Sequence, residues 1–268
     1  MNYQNELLQD AKKRYSLPKE ICDAYEAMPR HEFLSKFSPD YISWLKPTPE
    51  NYVYIYTDST LLLYERQGFV STISQPSFVL KMLQMLDLRP GMRVFELGAG
   101  SGWNAAMMGY LVGKKGKVTS YEIIPEMTKQ AKDHLAKFDL PQVEVVQGDA
   151  LSELWEKEEF DRGIFTAGAW DMPGILFDVI KEGGKLLFVL KTSSGDLLMA
   201  MKRMKDHFKV YETMACHFVP VTGKTLNVYH NDLSEIYRTS GEITIWPQGT
   251  LGLGQHVMVG RDMIFKIE

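Results

Sequence analysis

The chain is poor in several features that would each announce a function. Only two cysteines occur among 268 residues, Cys22 and Cys216, far apart and outside any C-x-x-C pair, so neither a disulfide framework nor a thiolate metal site is expected. The six histidines (31, 134, 207, 217, 230 and 256) have no metal-ligand spacing, and no metal is assigned. Positive charge is not in excess: Lys and Arg total 30 against 34 Asp and Glu, a net charge of −4. The short basic runs Lys12-Lys13-Arg14 and Lys114-Lys115 read as solvated faces, so no nucleic acid is expected as partner. No apolar run approaches the ~20 residues that span a bilayer. Residues 1–20 lack the apolar stretch of a secretory signal, and a cytoplasmic location without a membrane partner is the expectation. No repeat or low-complexity tract is present.

What is present is regular alternation. Residues 1–50 read as short amphipathic helices and turns, 52–57 (Tyr-Val-Tyr-Ile-Tyr-Thr) as a short strand, 68–76 as a loop, and 77–86 as a helix. From residue 93 onward the spacing predicts strands at 93–97, 117–121, 143–146, 162–166 and 185–190. Helices are predicted at 101–112, 125–138 and 172–180. That order predicts an α/β domain with a parallel sheet covered by helices, a Rossmann-like fold. Residues 196–206 read as helical, and 208–220 and 242–267 as strands and turns. Ligands of such sheets bind at the carboxyl ends of the strands.

The sharpest motif is Glu96-Leu97-Gly98-Ala99-Gly100-Ser101-Gly102, between a strand and a helix. Gly98, Gly100 and Gly102 let the backbone turn tightly and approach a ligand. The spacing is G-x-G-x-G rather than the G-x-G-x-x-G of dinucleotide binders. The preceding acid, Glu96, would repel a pyrophosphate but attract the ammonium and sulfonium of S-adenosylmethionine. Glu122 ends the next strand, where a carboxylate can accept both ribose hydroxyls. Asp149, in Gly148-Asp149-Ala150, follows the third strand and can accept the adenine amino group, with Ala150 contributing backbone. Three acids at three successive strand ends make S-adenosylmethionine the expected cofactor. No strand-to-helix G-x-S-x-G elbow surrounds Ser74 or Ser101, which disfavours a hydrolase.

A second set of residues carries a resemblance. Met28-Pro29-Arg30-His31-Glu32-Phe33, Tyr56-Thr57-Asp58, Thr72-Ile73-Ser74-Gln75-Pro76, Arg89-Pro90-Gly91, the glycine loop, Thr166-Ala167-Gly168-Ala169 with Met172-Pro173, and Phe218-Val219-Pro220 follow one another in order. Over about residues 20–223 the chain resembles protein-L-isoaspartate O-methyltransferases. The resemblance implies a class I methyltransferase domain over 1–223, with a helical N-terminal region and substrate loop. A small β-rich extension follows at 224–268. The implied activity is methyl transfer from S-adenosylmethionine to the free α-carboxylate of isoaspartyl residues in damaged proteins or peptides. It implies catalytic roles for Ser74 and Thr72, cofactor contacts at Ile73 and Ile123, and a cofactor or substrate contact at Thr222. Ala150 stands where the family usually has glycine, and the glycine-rich lead-in to the substrate loop is absent. These departures leave room for a dedicated peptide substrate. A tRNA adenosine methyltransferase would suit 116–149, but the acidic balance and residues 72–76 weigh against it. A cofactor-binding adaptor without turnover is the reading from another class, and the intact Ser74 segment favours an enzyme.

Overall fold

The computed structural model describes residues 2–150, 159–222, 233–250 and 257–267. The chain divides by compactness into two units, residues 1–148 and 149–268. The boundary read from the sequence at 223/224 begins among residues outside the described set.

The first unit opens with helices α1 (Tyr3–Tyr15) and α2 (Lys19–Ala27). α1 buries Leu7, Leu8 and Ala11, the apolar stripe its spacing predicts. A 3-10 turn covers Arg30–Phe33, and a second, Pro49–Asn51, leads into α3 (Tyr52–Ile55). The expected strand over 52–57 is therefore a helical turn. Helical geometry puts Tyr52 and Tyr56 on one face, where both rings meet His31, at centroid distances of 4.5 and 5.9 Å. That tertiary contact overrides the β preference of Tyr, Val and Ile.

Strands β1 (Leu61–Arg66) and β2 (Phe69–Ile73) form an antiparallel hairpin where a loop was expected over 68–76. Its two-residue turn, Gln67-Gly68, has positive φ at both positions (53° and 82°), the backbone that matches the twist of a tight hairpin. Helix α4 (Pro76–Leu86) follows directly, with proline in its first turn.

The core of this unit is three parallel strands with β4 (Lys117–Glu122) between β3 (Arg93–Leu97) and β5 (Val143–Gln147). The connections are α5 (Trp103–Val112) and α6 (Pro125–Leu135). α5 is buried almost all round, which accounts for its Ala- and Met-rich sequence.

The second unit begins with β6 (Phe160–Phe165), short helix α7 (Ile175–Val179) and β7 (Ile180–Thr192), the two strands parallel. The sequence expected a longer helix over 172–180 and a shorter strand. From β7 onward pairing is antiparallel: β8 (Gly195–Arg203) with β7, and β9 (Phe208–Cys216) with β8. The helix expected over 196–206 is thus a strand. Its Leu, Met and Ala are good helix formers. The two-residue turn at 193–194 and burial of six successive residues, Asp196–Met201, between β7 and β9 decide otherwise.

Helix α8 (Ser234–Arg238) precedes β10 (Ile243–Pro247), β11 (Val257–Val259) and β12 (Met263–Ile267). β10 pairs with β9, and β12 lies between β10 and β11. The described part of 224–268 therefore extends the antiparallel run. Among the described strands, β3–β5 and β6–β7 have the parallel pairing expected of the region from residue 93 to 190. No helix among the described residues is long and apolar enough to cross a membrane.

Candidate active site

The glycine loop has the backbone its sequence requires. Gly98, Gly100 and Gly102 all have positive φ, at 100°, 52° and 84°. The amides of Gly98 and Ala99 both donate to the carbonyl of Tyr121 at 2.9 Å, which pins the loop to β4. At Gly102 a side chain would also meet Ala131 of α6 at 3.3 Å, so conformation and space both demand glycine.

Glu122 joins the loop to the next strand end. One carboxylate oxygen accepts the Gly100 amide at 2.8 Å and the other the Ile124 amide at 3.0 Å, with the Ile123 amide also directed at the carboxylate. Burial pushes its pKa up, and these amides oppose the shift. The carboxylate is thereby held in one orientation at the end of β4.

Glu96, expected to attract the cofactor's positive charge, has both carboxylate oxygens engaged by protein groups. It is fully buried, and its oxygens accept from the Asn104 amide at 2.6 Å and the Ser120 hydroxyl at 2.5 Å. The inward side of β3 places it there, so Glu96 ties β3, β4 and α5 together beneath the loop. Burial pushes its pKa up to about 7. The Ser120 and Asn104 hydrogen bonds oppose this rise, and the charge of Glu122 adds to it.

The Thr72–Pro76 segment lies against the same loop: a side chain on Gly100 would sit 3.6 Å from the carbonyl of Thr72 and from Ser71 Oγ. Ile73 is buried, while Thr72 and Ser74 are half-buried. Among the described residues neither the Thr72 nor the Ser74 hydroxyl has a hydrogen-bond partner. The helix-capping role open to these hydroxyls falls to another residue, Asp58, whose carboxylate accepts the Ser77 amide at 2.9 Å, the Ser77 hydroxyl at 2.7 Å and the Gln75 side chain at 3.0 Å. Arg14 adds an ion pair to Asp58 at 3.0 Å. Thr72, Ile73, Ser74, Gly98, Gly100, Gly102, Glu122 and Ile123 thus gather at one end of the first unit.

Gly148, whose amide donates to the Glu122 carbonyl at 3.0 Å, ends that unit. Asp149, half-buried, and Ala150, buried, follow it in the chain and open the second. Thr222, half-buried, closes a described stretch of the second unit. Its segment is well anchored. Gly168 donates to the Val219 carbonyl at 2.8 Å, and Val221 donates back to Gly168 at 2.9 Å. The buried Lys191–Asp196 pair, 2.7 Å apart, binds the Phe218 carbonyl and amide at 3.1 and 3.0 Å.

Sequence reasoning gave no role to several residues that shape the site. Asp58 and Arg30 lay in segments quoted only for resemblance. His134 carried no signal at all. It is buried, with Nδ1 2.9 Å from the Ser101 carbonyl and Nε2 3.0 Å from the Ser35 hydroxyl, and so supports the loop from behind. Among the described residues no group of three or more His, Cys, Asp or Glu is placed to hold a metal ion.

The residues fit S-adenosylmethionine. Three positive-φ glycines open a side-chain-free approach, and one carboxylate is preorganised at the adjoining strand end. Relatives carry the same implication. A protein-L-isoaspartate O-methyltransferase of Methanococcus maripaludis is 34% identical over 212 residues, spanning 78% of this chain and 91% of the relative. One from Pyrococcus horikoshii is 39% identical over 155 residues, 57% of this chain and 70% of the relative. A solved protein-L-isoaspartate O-methyltransferase superposes with a TM-score of 0.73 at 23% identity, covering 99% of this chain and 88% of the other, which supports the fold. Residues 2–226 match the family description Protein-L-isoaspartate(D-aspartate) O-methyltransferase. With the glycine loop, the Glu122 contact and the Ser74 segment all in place, the chain belongs to the protein-L-isoaspartate(D-aspartate) O-methyltransferase family.

Proposed function

We propose that this protein methylates the α-carboxylate of L-isoaspartyl residues in proteins or peptides, using S-adenosylmethionine. One observation carries the reading: the Ser74 hydroxyl, without a hydrogen-bond partner among the described residues, belongs to a segment packed on Gly100 of the glycine loop. The bound cofactor supplies an electrophilic methyl group on a sulfonium. The α-carboxylate of an isoaspartyl residue is already ionised at neutral pH, so no general base is required of the chain. Its residues instead align and hold. Glu122 offers a fixed acceptor for ribose hydroxyls, and Asp149 an acceptor for the adenine amino group. Thr72 and Ser74 donate hydrogen bonds that orient the substrate carboxylate, and proximity and orientation supply most of the rate. Thr222 is a further contact in this reading, and Glu96 acts through the loop.

The test is transfer of labelled methyl to an isoaspartyl peptide, its aspartyl twin serving as control. A base-labile ester on the isoaspartyl peptide alone is expected. Ser74→Ala should lower kcat/KM by about 10–100-fold, the loss of one oriented hydrogen bond to a charged group. Cofactor binding without transfer to either peptide would overturn the reading.

A further inference from the structure

Arg30 is wholly buried, yet no carboxylate lies within 4 Å of it among the described residues. Its guanidinium donates instead to backbone carbonyls from two segments. Nη1 reaches Ile55 at 2.5 Å and Thr57 at 3.5 Å, while Nη2 reaches Ser59 at 2.9 Å, Ile73 at 3.3 Å and Ser74 at 3.0 Å. The guanidinium also lies 5.7 Å from the ring centre of Trp103, the first residue of α5 beyond the glycine loop. Trp103 Nε1 in turn donates to the Met28 carbonyl at 2.8 Å, two residues before Arg30. One side chain therefore links the Ser74 segment, the stretch that bears Asp58, and the root of the glycine loop.

The direction of these bonds matters. In a planar trans peptide the N–H points opposite to the C=O. Because the carbonyls of Ile73 and Ser74 point at Arg30, the amides of Ser74 and Gln75 point away from it. Neither amide has an acceptor among the described residues. Two successive outward amides beside a hydroxyl form an anion-accepting surface. A buried cation behind the same peptide groups polarises them in the sense that favours an anion in front. Arginine suits the task because its planar fork can serve several carbonyls and keeps its charge when buried.

We propose that Arg30 is a positioning residue for carboxylate recognition: it fixes the Ile73 and Ser74 carbonyls so that the Ser74 hydroxyl and the Ser74 and Gln75 amides meet the substrate anion in one orientation. This rests on the carboxyl-methylation reading above, and the experiment separates the two. Arg30→Lys and Arg30→Gln are compared with the unaltered protein in S-adenosylhomocysteine affinity by calorimetry, amide hydrogen exchange over 72–77, and kinetics with an isoaspartyl peptide. Affinity is expected within about threefold of the unaltered protein, with exchange over 72–77 at least about tenfold faster. The peptide kcat/KM should fall by about tenfold for Lys and about 100-fold for Gln. Unchanged exchange over 72–77, or equal losses in cofactor affinity and kcat/KM, would overturn the proposal. If the unaltered protein methylates no isoaspartyl peptide, the functional reading fails while hydrogen exchange still judges Arg30. If neither variant folds, Trp103→Phe, which removes the bond to Met28, should show the same split between exchange over 72–77 and cofactor affinity, and its absence would sink the idea.

Discussion

The carboxylate of Glu122 accepts the amide of Gly100 at 2.8 Å, so the acid that ends β4 and the glycine loop are one hydrogen-bonded unit. Replacing Glu122 with glutamine keeps an acceptor and removes the charge. Charge-assisted hydrogen bonds are roughly twice as strong as neutral ones, so about 1–1.5 kcal/mol of ligand stabilisation is expected to disappear. S-adenosylhomocysteine should bind about 5–10-fold more weakly to Glu122→Gln in calorimetry. Unchanged affinity would remove Glu122 from the ligand site.

Glu96 makes a prediction about pH. Its folded-state pKa is pushed up to about 7 by burial, against an ordinary 4.5. The folded protein therefore holds this proton more tightly than the unfolded chain. Stability from this group is present below the ordinary value and lost as pH rises through about 7. Glu96→Gln removes that slope, so the variant should gain stability relative to the parent between pH 5 and pH 7.5 in urea unfolding. A constant difference across that range would mean that Glu96 ionises normally.

The Lys191–Asp196 pair is nearly inaccessible, with side chains 11% and 6% exposed. Asp196→Ala strands a buried ammonium and frees the Phe218 amide, a loss of about 3–5 kcal/mol expected for breaking a buried pair. The double replacement Lys191→Met, Asp196→Leu should cost much less, because no uncompensated charge remains. Thermal unfolding of the three proteins checks the order. Equal losses in the single and double variants would show that packing, not charge, matters there.

Where chemistry imposes a local spacing, the site was legible in the sequence. The three glycines were read as a tight turn and have the positive φ such a turn requires, and Glu122, read at the next strand end, contacts that turn. Ser74 and Thr72 came from the family-like segment, and the structure lays that segment on Gly100. Glu96 was singled out for its charge, and its partners Asn104 and Ser120 came to light only in the folded chain. Arg30, Asp58 and His134 escaped a role because their partners lie 19–99 residues away: Ser74, Ser77 and Ser35.

Local sequence by itself determined the strands and helices from 93 to 147 and the glycine loop, because each depends on neighbours within a turn or a strand. Tertiary structure alone decided that Tyr52–Ile55 is helical and Gly195–Arg203 extended, since rings around His31 and strands on both sides of β8 outweigh intrinsic propensity. It also decided which charges are buried and what they hold, because desolvation and hydrogen-bond partners arise only when distant segments meet.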